Sequence, residues 1–392
     1  GHRALRPGGR RVDPGVRTVK AESRALISGI GRSDVGRRLH RDPRLLAVDA
    51  AEAAVADAGL TIDEIDGVST YPGPSGSTPG ITGAGVDALR SLLGLRLRWH
   101  TGAGELPGQL GALVNAVLAV AGGLADHVLC FRSVWESTAQ DRAGSRSSIV
   151  SSSAREAVQW GKPYGAGYPT YGALAMQRYM FESGATRRQF AEIAVTSRAN
   201  AAGNRAAVYR EPMTVDDYLS ARMVSDPLCM YDCDVPVDGA VAVVVSRADS
   251  GAVDRRRAIR IEAVGSATGS DASADMLWSR TDLKPSDVDI AEIYDGFTIY
   301  AVRWLEALGL TPKNETGAFI EGGHRISLDG ELPISTGGGQ LSAGRLHGFG
   351  ALIEACIQLR GEGGARQVPG RPEVVVVSSG AETFTSCLLL TR

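Results

Sequence analysis

Ser335-Thr336-Gly337-Gly338-Gly339-Gln340-Leu341-Ser342-Ala343-Gly344-Arg345-Leu346-His347-Gly348 is a glycine-dense, polar run that opens into Gly350-Ala351-Leu352-Ile353-Glu354-Ala355-Cys356, an apolar stretch of helical spacing. The helix has an echo early in the chain, Gly111-Ala112-Leu113-Val114-Asn115-Ala116-Val117, which is entered through the glycines of Gly102-Ala103-Gly104-Glu105-Leu106-Pro107-Gly108. Two further pairs keep the same order. Leu26-Ile27-Ser28-Gly29-Ile30-Gly31 is echoed by Ile259-Arg260-Ile261-Glu262-Ala263-Val264-Gly265, and Asp63-Glu64-Ile65-Asp66-Gly67 by Asp287-Val288-Asp289-Ile290-Ala291. Chance similarity of Ala-rich strands and helices explains any one echo. The ordered set predicts two similar α/β halves about a pseudo-twofold axis, joined near Asp249 to Arg257.

Outward from these echoes, strands alternate with helices, which calls for a sheet with helices packed on it. The first half reads as a strand over Ala25–Ile30, a helix over Pro43–Ala58, a strand through Ile65, Val68 and Thr70, a helix near Gly85–Leu93, a strand at Leu95–Trp99, a small-residue helix from Gly108 to Gly122 and a strand at His127–Phe131. The rhythm then breaks into an excursion, about 133–220, with helices over Gly172–Ser183, Thr186–Ala199 and Val215–Ala221, before the strand Ala240–Ser246. The division expected is an extension or remnant over 1–23, a first half over 24–255 and a second half over 256–392.

With 42 basic and 44 acidic residues, the formal charge of -2 offers no electrostatic reason for a nucleic-acid or membrane-surface partner. Only four of the basic residues are lysines, a bias read as GC-rich coding rather than chemistry. Five scattered cysteines are expected to be free thiols in a reducing compartment. The Cys229-x3-Cys233 pair has no second cysteine pair or histidine pair near it, so no metal site is expected. The longest apolar stretch, Leu110–Ala125, contains Asn115 and three glycines and is too short to cross a bilayer. Residues 1–23 lack the apolar region of a signal peptide, which makes the cytoplasm the expected location.

Both repeated helices begin in glycine-rich turns. Helix N-termini carry unpaired N–H groups and partial positive charge, so two of them converging would stabilise an oxyanion or an enolate. Glycines there also serve tight helix packing, and on their own do not distinguish the two uses.

The stretch 335–348 resembles the thiolase segment written GG-x-LS-x-GHP-x-G, Ala291-Glu292-Ile293-Tyr294-Asp295-Gly296-Phe297-Thr298 its NEAF segment, and Val237-Asp238-Gly239-Ala240-Val241-Ala242 its DGAAAV strand. The resemblance runs in order from about residue 24 to 392 and points to the lipid-transfer-protein-like branch of the thiolase superfamily, where Tyr-Asp replaces Asn-Glu. It implies a thiolase-like α/β fold of two βαβαβαββ halves in α/β/α/β/α layers.

The departures from the pattern bear on chemistry. Aligned on the helix Ala112–Val120, the thiolase nucleophilic cysteine falls at or near Leu106, the NEAF asparagine becomes Tyr294, the GHP histidine becomes Arg345, and the C-terminal cysteine falls at about Ser378. A leucine forms no acyl-enzyme, which removes thioester-intermediate Claisen chemistry. The groups left are Tyr294, Asp295, Arg345 and His347, with Gly344, Gly348, Gly380 and Leu106 expected to border the substrate and its oxyanion. A nearby guanidinium would lower the tyrosine pKa toward the working range, and His347 is expected to titrate near neutrality as a proton carrier. Alternatively, Tyr beside Asp is a structural hydrogen bond and His near a helix start a cap. Tyr164, Tyr168 and Tyr171 either line a pocket for a flat apolar substrate or pack under a loop. Ser270–Lys284 is short where thiolase-like chains usually carry a full helix, which either widens the cleft or trims a surface helix.

What the resemblance implies is a carbon–carbon lyase of steroid side-chain degradation: retro-aldol cleavage of a 17-hydroxy-3-oxo-pregnene-20-carboxyl-CoA to a 17-ketosteroid and propionyl-CoA. No metal or organic cofactor is implied in this chain, since CoA belongs to the substrate. The implied assembly is a homodimer with a small OB-fold and zinc-ribbon partner on each protomer, a heterotetramer. A thiolase-like acyltransferase component and a non-catalytic lipid or acyl-CoA scaffold are the rival readings. Alternation of Leu95, Leu97 and Trp99 with Arg96, Arg98 and His100 fits a strand with one buried face, and the resemblance implies that this strand pairs antiparallel with its copy across a molecular twofold, with Arg96 and Arg98 finding carboxylates or carbonyls on the partner protomer.

Overall fold

The computed structural model describes residues 20–392 except 74–79, 103–108, 144–158, 160 and 382. The first half carries β1 (Ala25–Arg32), α1 (Pro43–Asp57), β2 (Gly67–Thr70), α2 (Val86–Leu93), β3 (Trp99–Thr101), α3 (Gly111–Ala121), β4 (His127–Trp135) and α4 (Glu136–Ala143). It continues through α5 (Tyr168–Ser183), α6 (Arg187–Ala202), α7 (Val215–Ser220), the small hairpin β5 (Met223–Ser225) and β6 (Leu228–Cys229), and β7 (Asp238–Arg247). The second half carries β8 (Ile259–Ala267), α8 (Ser270–Trp278), β9 (Ile290–Glu292), α9 (Thr298–Ala307), α10 (Thr316–Ile320), α11 (Phe349–Arg360), β10 (Val374–Ala381) and β11 (Phe384–Thr391).

The strands form one nine-stranded sheet in the order β3-β2-β4-β7-β1-β8-β11-β10-β9. Its two halves repeat one pairing scheme outward from the middle. β1 and β8 each pair antiparallel with the last strand of their half, β7 and β11. Those pair antiparallel with β4 and β10, which pair parallel with β2 and β9. Where β3 lies beside β2, the second half has, among the described residues, a single parallel bridge from Ala291 to Ile334. All three sequence echoes fall on equivalent elements: β1 with β8, α3 with α11, and the short helical turns before β2 and β9. The halves join edge to edge through two residue pairs, Leu26 with Arg260 and Ile27 with Ile259.

Strand periodicity explains the layers. Alternate residues of β7 point to opposite faces, so Val241, Val243 and Val245 enter a central core while Ala240, Ala242 and Val244 pack under α1. The central core holds α3 and α11 between the half-sheets: Leu113 and Val117 join Leu352, Cys356, Val377 and Leu388. A third core, on the outer face of the second half, contains Leu389, Val376, Trp304 and Ile299. The result is helix, sheet, paired helices, sheet, helix. Gly29 and Gly31 let α1 approach β1, because a Cβ on either would run into the Ala54 and Ala50 carbonyls, and Gly265 does the same for α8 on β8.

Several elements differ from the sequence reading. β3 covers Trp99–Thr101 rather than Leu95–Trp99, since Gly94 ends α2 in a left-handed conformation and the chain needs Leu95–Arg98 to reach the sheet edge. Arg98 finds its carboxylates within its own chain, Asp66 at 3.1 Å and Asp126 at 3.3 Å, and Arg96 is exposed. β4 runs on to Trp135, because the buried Arg132 and Ser133 still pair with β7. The excursion helices α5 and α6 cover the second half: Met176, Tyr179, Phe190 and Ile193 belong to its outer core. Tyr164, Tyr168 and Tyr171 are 85%, 79% and 50% exposed, and none of them lines the cleft that holds Tyr294. All five cysteines are free, with only Cys233 incompletely buried. Among the described residues no His/Cys/Asp/Glu group fits a metal ion, and no helix is long and apolar enough to cross a membrane.

Candidate active site

The glycine-rich run becomes one wide helical turn, Gly339–Ala343, followed by a left-handed segment in which Gly344, His347 and Gly348 have φ of 124°, 51° and 78°. α6 holds this run from behind. Ser197 Oγ donates to the Gly338 carbonyl at 2.6 Å and Arg198 Nε to Ser342 Oγ at 3.0 Å, and just past the helix end Asn204 Nδ2 donates to the Gly337 carbonyl at 2.8 Å. Side chains at Gly344 or Gly348 would strike Val237 or Ser379. Unlike them, His347 adopts positive φ with a side chain, the kind of strain that collects at functional sites.

Tyr294 and Asp295 follow β9 directly and line a cleft with Gln340, Gly344 and Gly348. The Ser378 hydroxyl on β10 accepts the Tyr294 backbone N–H at 2.9 Å. Burial, and then the Asp234 charge, push the Tyr294 phenol above its ordinary range despite Arg345, so the expected lowering is reversed. Asp295 is buried and caps the wide turn, its two oxygens accepting the Gln340 N–H at 2.9 and 3.1 Å. Burial pushes its carboxyl up to about 6 against those hydrogen bonds.

Arg345 is clamped. Its Nε donates to Glu136 at 2.6 Å and its Nη1 to Asp234 at 3.0 Å. Burial opposes its charge, but the two carboxylates outweigh that and hold its pKa above the ordinary value. Asp234 is itself pushed up to about 7 by burial, with Arg345 acting in the other direction. His347 lies in the same knot: its Nδ1 is 3.1 Å from Arg132 Nη2 and its Nε2 4.0 Å from Glu136 Oε1. Burial, then the charges of Arg132 and Arg345, hold His347 well below its usual pKa. It is therefore neutral at physiological pH, not a near-neutral proton carrier. Because a guanidinium only donates, Nδ1 is the acceptor and the proton sits on Nε2.

Of the residues expected at the site, the structure gathers Tyr294, Asp295, Gly344 and Gly348 on one cleft, with Arg345 and His347 in the polar knot behind it. Gly380 on β10 has φ 82° and accepts Trp304 Nε1 at 2.9 Å. Leu106 lies outside the described residues, but Gln109, just past them, donates its N–H to Ser379 Oγ at 3.1 Å, tying that entry to β10. Arg132, Glu136, Asp234 and Gln340 were missed. Arg132 was legible as a lone charge in the apolar strand around Phe131, and Asp234 as a carboxylate just ahead of the Val237 strand.

A family model described as Thiolase C-terminal domain-like matches residues 251–391. The chain is 32% identical over 395 residues to the 17-hydroxy-3-oxo-4-pregnene-20-carboxyl-CoA lyase of Mycobacterium tuberculosis, with 93% of this chain and 98% of that protein covered. It is 31% identical over 397 residues to the steroid side-chain-cleaving aldolase of Thermomonospora curvata, covering 93% and 97%. Among solved structures, the Ltp2-ChsH2(DUF35) aldolase superposes with a TM-score of 0.83 at 29% identity, over 94% of this chain and 98% of that one. With the repeated halves and the Tyr-Asp motif in place, the chain belongs to the thiolase superfamily, within its family of steroid side-chain-cleaving aldolases.

Proposed function

We propose that this chain catalyses retro-aldol cleavage of a 17-hydroxy-3-oxo-pregnene-20-carboxyl-CoA, releasing a 17-ketosteroid and propionyl-CoA. The observation that carries the reading is a cleft lined by Tyr294 and by Asp295, a carboxyl of raised pKa, with none of the described cysteines among its lining residues and the Asp234–Arg345 pair in the knot behind it. The C17 hydroxyl loses its proton to a carboxylate, the carbon–carbon bond breaks, and its electron pair moves onto the thioester carbonyl as an enolate. Asp295 has both oxygens engaged by backbone N–H groups, whereas Asp234 is bound at one oxygen by Arg345, so Asp234 is the better-placed base. Tyr294 stays protonated until it gives its proton to the enolate carbon, and the proton that Asp234 took from the C17 hydroxyl then restores the phenol, so both groups end as they began. Arg345 fixes Asp234, and the His347 Nε2–H is a donor toward developing negative charge. The chemistry calls for no metal or organic cofactor, because the thioester itself accepts the electron pair.

In this reading the protein works in the cytoplasm as a homodimer, each protomer carrying a small OB-fold and zinc-ribbon partner. An exposed face of α5, made of Tyr171, Leu174 and Phe181, supports an assembly that covers it. Incubating the chain, with and without such a partner, with the hydroxyacyl-CoA and assaying for ketosteroid and propionyl-CoA tests the proposal. An acyltransferase would instead leave acylated protein, and a scaffold would return the substrate intact.

A further inference from the structure

Gln340 has each polar atom but one accounted for. Its backbone N–H is bound by Asp295, its carbonyl accepts the Val235 N–H at 3.0 Å, and its Oε1 accepts the His347 N–H at 3.0 Å. That last bond fixes which end of the amide is oxygen. The remaining atom, Nε2, is buried and makes no hydrogen bond of normal geometry, its one polar neighbour being the Asp295 carboxylate that already holds the Gln340 backbone, in a residue only 6% exposed that lines the cleft beside Tyr294 and Gly344. An orphaned buried donor costs free energy unless a ligand satisfies it. Its backbone and side-chain oxygen are pinned, so the donor is pre-oriented, as an oxyanion site requires.

Resting on the aldolase reading above, we propose that Gln340 Nε2 donates to the thioester oxygen of the acyl-CoA and stabilises its enolate. Gln340 is then a catalytic residue, and its hold on the His347 backbone is a second role. The enolate is the ligand that gains most from such a donor, since its oxygen carries charge that the ground-state carbonyl lacks.

The test compares affinity for a nitronate analogue of the propionyl-CoA enolate with affinity for propionyl-CoA itself. Gln340→Glu keeps the oxygen that receives the His347 N–H and the side-chain volume, and removes the donor when it is ionised, so its affinities are read at a pH above the raised range of the neighbouring buried carboxyls. Gln340→Met keeps only the volume. The parent should prefer the nitronate, and each variant should lose that preference by ~10-fold or more while propionyl-CoA binding changes less. Retention of the preference in either variant, or its absence in the parent, overturns the proposal. A crystal structure of the parent with the analogue gives a reading that needs no variant to fold. Nε2 within about 3.2 Å of a nitronate oxygen supports it, and any longer separation overturns it. If the parent shows a Gln340-dependent nitronate preference yet leaves the hydroxyacyl-CoA intact, the enolate assignment stands and the steroid-lyase reading falls.

Discussion

Arg132 Nη2 donates to His347 Nδ1 across 3.1 Å, and this contact between a buried guanidinium and a buried imidazole fixes the His347 tautomer and adds to the effect of burial in keeping the ring neutral. Arg132 also donates to the carbonyls of Ser133 and Ile81, and burial lowers its own pKa only to about 10, so it stays charged. A permanent donor and positive charge on one side of the ring leave His347 as a neutral Nε2–H tautomer. Replacing Arg132 by Met removes that charge, so the imidazole pKa should rise toward its ordinary value. An NMR titration of the His347 ring in parent and variant checks the direction; an unchanged titration contradicts it.

The Asp234 carboxyl, raised to about 7 mainly by burial, makes turnover depend on pH. A base must be ionised, so kcat/KM should climb as pH rises through about 7 and level off above it. Asp234→Asn should lower kcat by ~10²-fold and flatten that limb. A rate profile with the limb intact in the variant would assign the ionisation elsewhere.

Tyr294→Phe and His347→Ala should each reduce turnover by ~10²-fold or more with little loss of folding. Steady-state rates set beside thermal midpoints separate the two effects. Near-normal turnover in either variant makes that residue structural.

Glu292 gives a stability prediction. It accepts from the Thr336 N–H at 3.0 Å, and burial, then the neighbouring Glu354, raise its pKa. A carboxyl with a raised folded-state pKa binds its proton more tightly folded than unfolded, so it favours folding below the unfolded-state range and loses that contribution as pH climbs through the folded pKa. Glu292→Gln, which cannot ionise, should therefore gain stability relative to the parent between about pH 5 and about pH 9. Urea midpoints at both ends measure the difference, and a gap that narrows with pH contradicts the assignment.

The repeat was legible because its signals are local and periodic. The glycines of β1 and β8 answer to helices lying on them, and the small residues of α3 and α11 answer to burial on every side. The Leu95–Trp99 strand was misplaced because apolar alternation reports one-sided burial, which Leu95 has without joining a sheet. Tyr294 and Asp295 could be named from their motif. Their protonation could not, because it depends on burial, on Asp234 and Arg345 beside the phenol and on the Gln340 and Leu341 N–H groups at the carboxyl, which only the folded chain brings together. Gln340 carried no distinguishing signal among the glycines, since an unsatisfied amide is visible only when its neighbours are.

The most direct test follows both products and protein in one reaction with 17-hydroxy-3-oxo-pregnene-20-carboxyl-CoA. The account predicts equal amounts of 17-ketosteroid and propionyl-CoA, with intact-mass measurement showing an unmodified chain throughout turnover. An acyl adduct on any of the five cysteines, or substrate returned whole by the chain together with its partner, would contradict it.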